Sequence, residues 1–222
     1  ISMTNEFLAK KIIYSYFELK LEYRNTNIDV TKFMLQNKLY CESNNDIVNN
    51  LDIVLNELAD VNILVKDLSR TERIRFKHDK IEECFFKKYI EEYRFQGIDL
   101  FRKIFSLCRK NLIYQSGLIQ YLTDLVYVDI SEFKNTIISL SLENMDTLPK
   151  YVVEALSQSK DLSEDLRYLL HEKDVINSKK FINILILGFD ESLLAYSLIT
   201  YDLKRVIDCL LSFTNNRIIT DD

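Results

Sequence analysis

The chain has 222 residues, of which 47% are apolar and 28% are charged, and its formal net charge at pH 7 is -5. These values are typical of a globular protein with one large or two small domains, and they exclude a disordered chain. The negative charge gives no overall attraction to nucleic acid or to anionic membranes. Only three glycines and one proline are present. These are too few for the turns of an all-β or doubly wound fold, so the composition predicts a mainly α-helical protein.

The N-terminal part predicts three helices followed by a β-hairpin. Apolar residues at three- and four-residue spacing favour helices over 5–23, 31–39 and 46–59. Apolar and polar residues then alternate around Val61–Val65 and Arg73–Lys77, which favours two short strands. This order is typical of a winged-helix domain, which we place at residues 1–95.

Asp79 begins the next predicted helix, which runs to Tyr93. We expect its buried face to contain Ile81, Cys84, Phe85 and Tyr89. Glu82 and Glu83 are expected on a solvated face with ion pairs to lysines. Asp79 and Glu82 also have the spacing of a capping box, in which the first side chain accepts a hydrogen bond from an unpaired helix amide. Both residues are therefore predicted to form the helix cap.

Residues 96–222 predict one short helix after another, with polar breaks between them. The expected helices are 98–110, 116–128, 130–142, 148–158, 161–172, 178–188, 190–200 and 202–214. Pro149 suits the first turn of its helix, and the β-branched stretch Phe181–Leu187 is assigned to a helix rather than a strand. Consecutive short helices form a bundle or a solenoid, and we predict an irregular HEAT-like stack.

No catalytic motif is found in the sequence. GxxxxGK(S/T), GxGxxG, GxSxG and HExxH are all absent, so the chain is expected not to be an enzyme and to need no cofactor. The four cysteines are widely separated and only two histidines are present, which argues against a metal site. We expect reduced, buried thiols in a cytoplasmic protein, with Cys84 among them. No apolar run is long enough to span a membrane. The start at Ile1, with Met3 behind it, suggests a fragment of a larger protein.

A winged helix raises the possibility of DNA binding through its third helix, here residues 46–60. That helix contains Asp46, Asp52, Glu57 and Asp60 but neither lysine nor arginine. Its charge repels phosphates and removes the electrostatic attraction on which nonspecific binding depends. The hairpin is more basic, but we expect no nucleic-acid partner.

The stretch from Ile74 to Phe86 resembles the end of the winged-helix domain in STAND-type signalling NTPases, the superfamily of NLR and NACHT proteins. In that family a strand ends in an aromatic-x-His-Asp or Met-His-Asp element, followed by a helix of the type hydrophobic-x-Glu-x-Phe. The resemblance implies that His78 contacts bound ADP and holds the inactive state, and that a helical sensor region follows. The nucleotide-binding core is not part of this chain. ADP or ATP would therefore be bound only within a larger parent protein.

The sequence thus predicts a regulatory and sensing portion of a STAND-type NTPase that acts by binding a protein partner. Two alternatives stay open: a winged-helix DNA-binding regulator with a helical dimerisation domain, and a plain helical scaffold. The sequence also leaves open whether the chain forms a homo-oligomer.

Overall fold

The computed structural model describes residues 5–23, 53–67, 73–141 and 147–159, together with the helical positions 165, 168–169, 180–181, 183–185 and 187. In this part the protein is mainly α-helical with one short antiparallel hairpin, as predicted. In chain order the elements are α1 (Asn5–Tyr23), α2 (described over 53–60), β1 (Leu64–Asp67), β2 (Arg73–Phe76), α3 (Asp79–Tyr93), a 3-10 turn (Arg94–Gln96), α4 (Ile98–Cys108), α5 (Leu112–Val128), α6 (Ile130–Ser141) and α7 (Leu148–Leu156).

The chain divides into two compact units. The first comprises residues 1–95 and 106–117, and the second comprises 96–105 and 118–222. The predicted domains, 1–95 and 96–222, differ from these units in the placement of segment 106–117, which packs with the first. The winged-helix and HEAT-like interpretations stay predictions.

Helix α1 forms the core of the first unit. Every side chain from Ile12 to Phe17 is buried, and six consecutive residues cover all sides of a helix. The Phe17 ring centroid lies 5.3 Å from that of Phe86 and 5.6 Å from that of Tyr89, both in α3. Burial of these three rings stabilises the α1–α3 pair through the hydrophobic effect and through ring contacts.

The turn between α2 and β1 explains why the first strand begins later than predicted. The amide of Ile63 donates to the Leu58 carbonyl (2.9 Å), and the amide of Asn62 donates to the Ala59 carbonyl (2.9 Å). Asn62 has a φ of 62°, so these bonds form a Schellman motif with a left-handed asparagine. Residues 61–63 therefore terminate a helix. The strands themselves pair in antiparallel register, with Leu64 opposite Phe76.

Helix α3 has the predicted bounds, but its buried face is not the predicted one. Glu82, Glu83, Phe86, Tyr89 and Ile90 are buried, whereas Cys84 is exposed and Ile81 and Phe85 are half-buried. The expectation of a buried Cys84 and of solvated Glu82 and Glu83 is therefore wrong. The apolar cluster Cys84-Phe85-Phe86 fits two helical faces, and contact with α1 selects the face that contains Phe86.

Helix α5 begins four residues earlier than predicted. The Asn111 side chain accepts a hydrogen bond from the amide of Ile113 (2.9 Å) and so satisfies a first-turn donor. The Asp129 carboxylate does the same for the amide of Glu132 (2.9 Å) at the start of α6. Both starts are set by side chains in the connections, which the apolar periodicity does not reveal.

Aromatic contacts organise the second unit. The ring centroids of Phe105 and Tyr151 lie 5.6 Å apart, and those of Phe133 and Phe181 lie 6.3 Å apart. Pro149 occupies the first turn of α7, as predicted. The described positions of stretch 181–187 are helical, as predicted. The predicted helices 31–39, 190–200 and 202–214 lie outside the described residues.

Candidate functional site

His78 lies on the surface at the junction between the hairpin and α3. The preceding strand is anchored by the buried Phe76 ring, and the amide of Lys77 donates to the Ile63 carbonyl (3.0 Å). The His78 carbonyl accepts hydrogen bonds from the amides of Ile81 (3.0 Å) and Glu82 (3.2 Å). The main chain of His78 is therefore fixed, while its side chain is exposed. Such a residue can reach a ligand held outside this unit, and the nucleotide-sensing role stays a prediction.

The predicted capping box at Asp79 and Glu82 is not formed. His78 occupies the N-cap position because its carbonyl accepts the first helical bond, and its side chain makes no capping hydrogen bond. Asp79 is the first helical residue and is exposed. Its charge can stabilise the helix through the helix dipole.

Glu82 instead forms the centre of a buried polar cluster. Its side chain is buried, and its Oε1 atom accepts a hydrogen bond from the Tyr16 hydroxyl of α1 (3.1 Å). The Tyr114 hydroxyl of α5 donates to the same oxygen. Three helices distant in sequence thus meet at one carboxylate. Hydrogen bonds from both hydroxyls offset the desolvation of a buried acid.

Lys20 completes this cluster from α1. Its Nζ atom lies 4.9 Å from the Tyr16 ring centroid and 5.9 Å from that of Tyr114, within the range of cation–π attraction. Burial lowers the pKa of Lys20, and the nearby Glu82 charge opposes that shift. Burial, together with Glu82, raises the pKa of both tyrosines well above the ordinary value, so the hydroxyls stay protonated donors. The arrangement anchors three helices to one carboxylate through hydrogen bonds.

Sequence reasoning missed this cluster because glutamates are usually solvated. One signal was available. Glu82, Phe86, Tyr89 and Ile90 follow one helical face, and a chain with 13 tyrosines offers many hydroxyl donors for a buried acid.

A groove with a volume of about 660 Å³ lies between α1, the end of α2 and α3. Its apolar lining is Ala9, Ile13, Leu58, Ile63 and Phe85, and its charged rim includes Glu6, Lys10, Lys88, Glu91 and Glu92. Glu92 of α3 is linked to α1 by two contacts. Lys10 Nζ lies 2.5 Å from the Glu92 carboxylate, and the Tyr14 hydroxyl donates a hydrogen bond to it at 3.0 Å. Although desolvation opposes the change, these two bonds lower the pKa of Glu92. The size and mixed lining of the groove suit a small ligand or a short peptide segment.

The described part of α2 does not resemble a DNA-reading helix. Val54, Leu55 and Leu58 are buried, which leaves Ile53, Asn56, Glu57 and Asp60 exposed. This exposed face contains two acids and no cation. Arg75 and Lys77 of the hairpin are exposed and basic, but a two-stranded hairpin without a cationic helix beside it gives few phosphate contacts.

Within the described ranges no three His, Cys, Asp or Glu side chains come together to hold a metal ion. In the same part of the chain no helix is long and apolar enough to cross a membrane. The chain matches no known protein family, no curated protein and no solved structure.

Proposed function

We propose that this chain is the non-catalytic regulatory and sensing portion of a STAND-type signalling NTPase. The observation that supports the proposal most directly is the position of His78. It follows a strand of the hairpin, occupies the N-cap of α3 and has an exposed side chain on a fixed main chain. A histidine so placed can contact a nucleotide held by a neighbouring domain, as the resemblance of Ile74–Phe86 implies.

In this proposal the chain acts by binding and not by chemistry. ADP or ATP is held by a nucleotide-binding core encoded with this chain in a larger parent protein. The helices after Gly97 recognise a protein partner, because stacked helices offer an extended surface for such contacts. The parent is cytoplasmic, where such receptors meet intracellular ligands.

The proposal is tested first on the full-length gene product. We expect a GxxxxGK(S/T) motif in the coding sequence upstream of Ile1 and about one adenine nucleotide per purified protein. The matched control replaces the lysine of that motif with alanine, which removes its phosphate contact. Bound nucleotide should then be lost. A full-length product with neither the motif nor bound nucleotide contradicts the proposal and favours a plain helical scaffold.

A further inference from the structure

Segment 106–117 is attached to the first unit by very few buried groups. Between Leu112 and Gly117, all of which are described, Tyr114 is the one buried side chain besides the side-chain-free Gly117. Leu112 is 78% exposed, and Ile113, Gln115 and Ser116 are half-buried. Cys108, the last residue of α4, is also buried. Leu112, Ile113, Gln115 and Ser116 therefore contribute little apolar burial, and the first turns of α5 are held mainly by Tyr114 and by the close approach of Gly117 to Phe86.

The Tyr114 contact is polar at its end. The Tyr114 hydroxyl donates a hydrogen bond to the Glu82 Oε1 atom, and the same oxygen accepts a second hydrogen bond from the Tyr16 hydroxyl. The remaining Tyr114 surface packs on aromatic rings, with centroids 4.8 Å from Phe86 and 6.5 Å from Phe17. A buried carboxylate that loses one of two donors must be resolvated or find a new partner. Tyr114 lies in the first turn of α5, so displacement of that turn removes one of the two hydroxyl donors of Glu82 and gives water a route to its carboxylate.

We propose that Tyr16, Glu82 and Tyr114 form a polar latch that holds segment 106–117 on the α1–α3 pair, and that this segment opens locally before the unit unfolds. The latch is a conformational device of the first unit. It depends on geometry within that unit and not on the proposed NTPase function. Regions with few apolar contacts are those that open at low free energy in native proteins.

Tyr114→Phe removes the latch hydroxyl and keeps the ring. Native-state hydrogen exchange of the isolated chain should then show amides 115–117, which follow the first turn of α5 and its amides without intrahelical partners, exchanging at least tenfold faster, while the amides in the middle of α1 and α3 keep their rates. Tyr89→Phe is the matched control. It removes one hydroxyl from a buried tyrosine of the same core and should leave amides 115–117 unchanged.

Glu82→Gln provides a second variant in case Tyr114→Phe does not fold. It keeps an oxygen acceptor but removes the charge, and neutral acceptors bind hydroxyls less tightly. Amides 115–117 should again exchange faster than in the unmodified chain, by a smaller factor than in Tyr114→Phe, while α1 and α3 keep their rates. Equal acceleration across all three helices, or no acceleration at 115–117, would overturn the latch.

Discussion

The amide of Glu82 donates a hydrogen bond to the carbonyl of His78 at 3.2 Å. The surface residue proposed to sense nucleotide and the buried acid that joins three helices therefore share the first turn of α3. Because the Glu82 side chain is bound by Tyr16 and Tyr114, this turn has little freedom to shift. His78 therefore adjoins a turn that is hydrogen-bonded through both its main chain and the Glu82 side chain.

Gly117→Ala should destabilise the protein by about 1 kcal/mol. In an exposed helix interior this change stabilises by about 1 kcal/mol, through helix propensity. Here an added Cβ atom would lie 3.0 Å from Phe86 Cδ1 and 3.1 Å from the Glu83 carbonyl oxygen. Neither the fully buried ring nor the helix backbone can easily move away, and overpacking costs about 1–3 kcal/mol. Urea unfolding measures the difference.

The control for Gly117 is Ser116→Ala, a half-buried position in the same helix turn. It should be neutral or slightly stabilising, since alanine has the higher helix propensity. If Gly117→Ala were as stable as Ser116→Ala, the close approach of α5 to α3 would be wrong.

Local sequence signals predicted the mainly helical fold, the hairpin and the bounds of α1 and α3, because apolar periodicity and strand alternation are local properties. The burial of Glu82 was not predicted, because it depends on Tyr16 and Tyr114, which are 66 and 32 residues away. The side on which α3 packs is likewise set by α1. The exposure of His78 follows from its position between two regular elements.

Asp79→Ala should destabilise the chain by about 0.5 kcal/mol, through loss of a favourable charge at the first helical turn. Asp79→Asn should lower the free energy of unfolding as much as Asp79→Ala does, whereas Asp79→Glu should retain most of the stability. Added salt should reduce all of these differences. Unfolding measurements at low and high salt check this. If Asp79→Asn preserved stability while Asp79→Ala did not, the result would support the original prediction of a side-chain cap at Asp79.

Cys84 should react with iodoacetamide at least tenfold faster than Cys108 in the native chain. Cys84 is exposed, whereas Cys108 is buried and its burial raises the pKa of the thiol, which suppresses the reactive thiolate. Peptide mapping by mass spectrometry after timed labelling measures both rates. In denaturant the two rates should converge. Equal native rates would place Cys84 in the core, against the observed packing of α3.

Duplex DNA should bind the chain with a Kd weaker than about 1 μM at about 150 mM salt, because the described exposed face of α2 is acidic. A gel shift over a protein titration measures this. The variant Glu57→Lys with Asp60→Lys reverses the charge of that face and should bind more tightly, with a steeper dependence on salt. Submicromolar binding by the unmodified chain would instead favour the DNA-binding regulator.

The nucleotide-sensing role of His78 is tested most directly by the rate of ADP release from the full-length protein. His78→Ala should speed release by about tenfold, the effect of losing one hydrogen bond worth about 1.4 kcal/mol. Lys77→Ala, at the neighbouring exposed position, is the control and should leave the rate unchanged. In the isolated chain His78→Ala should change the free energy of unfolding by less than about 0.5 kcal/mol, as is usual for surface positions. Unchanged ADP release together with a destabilised isolated chain would contradict the account.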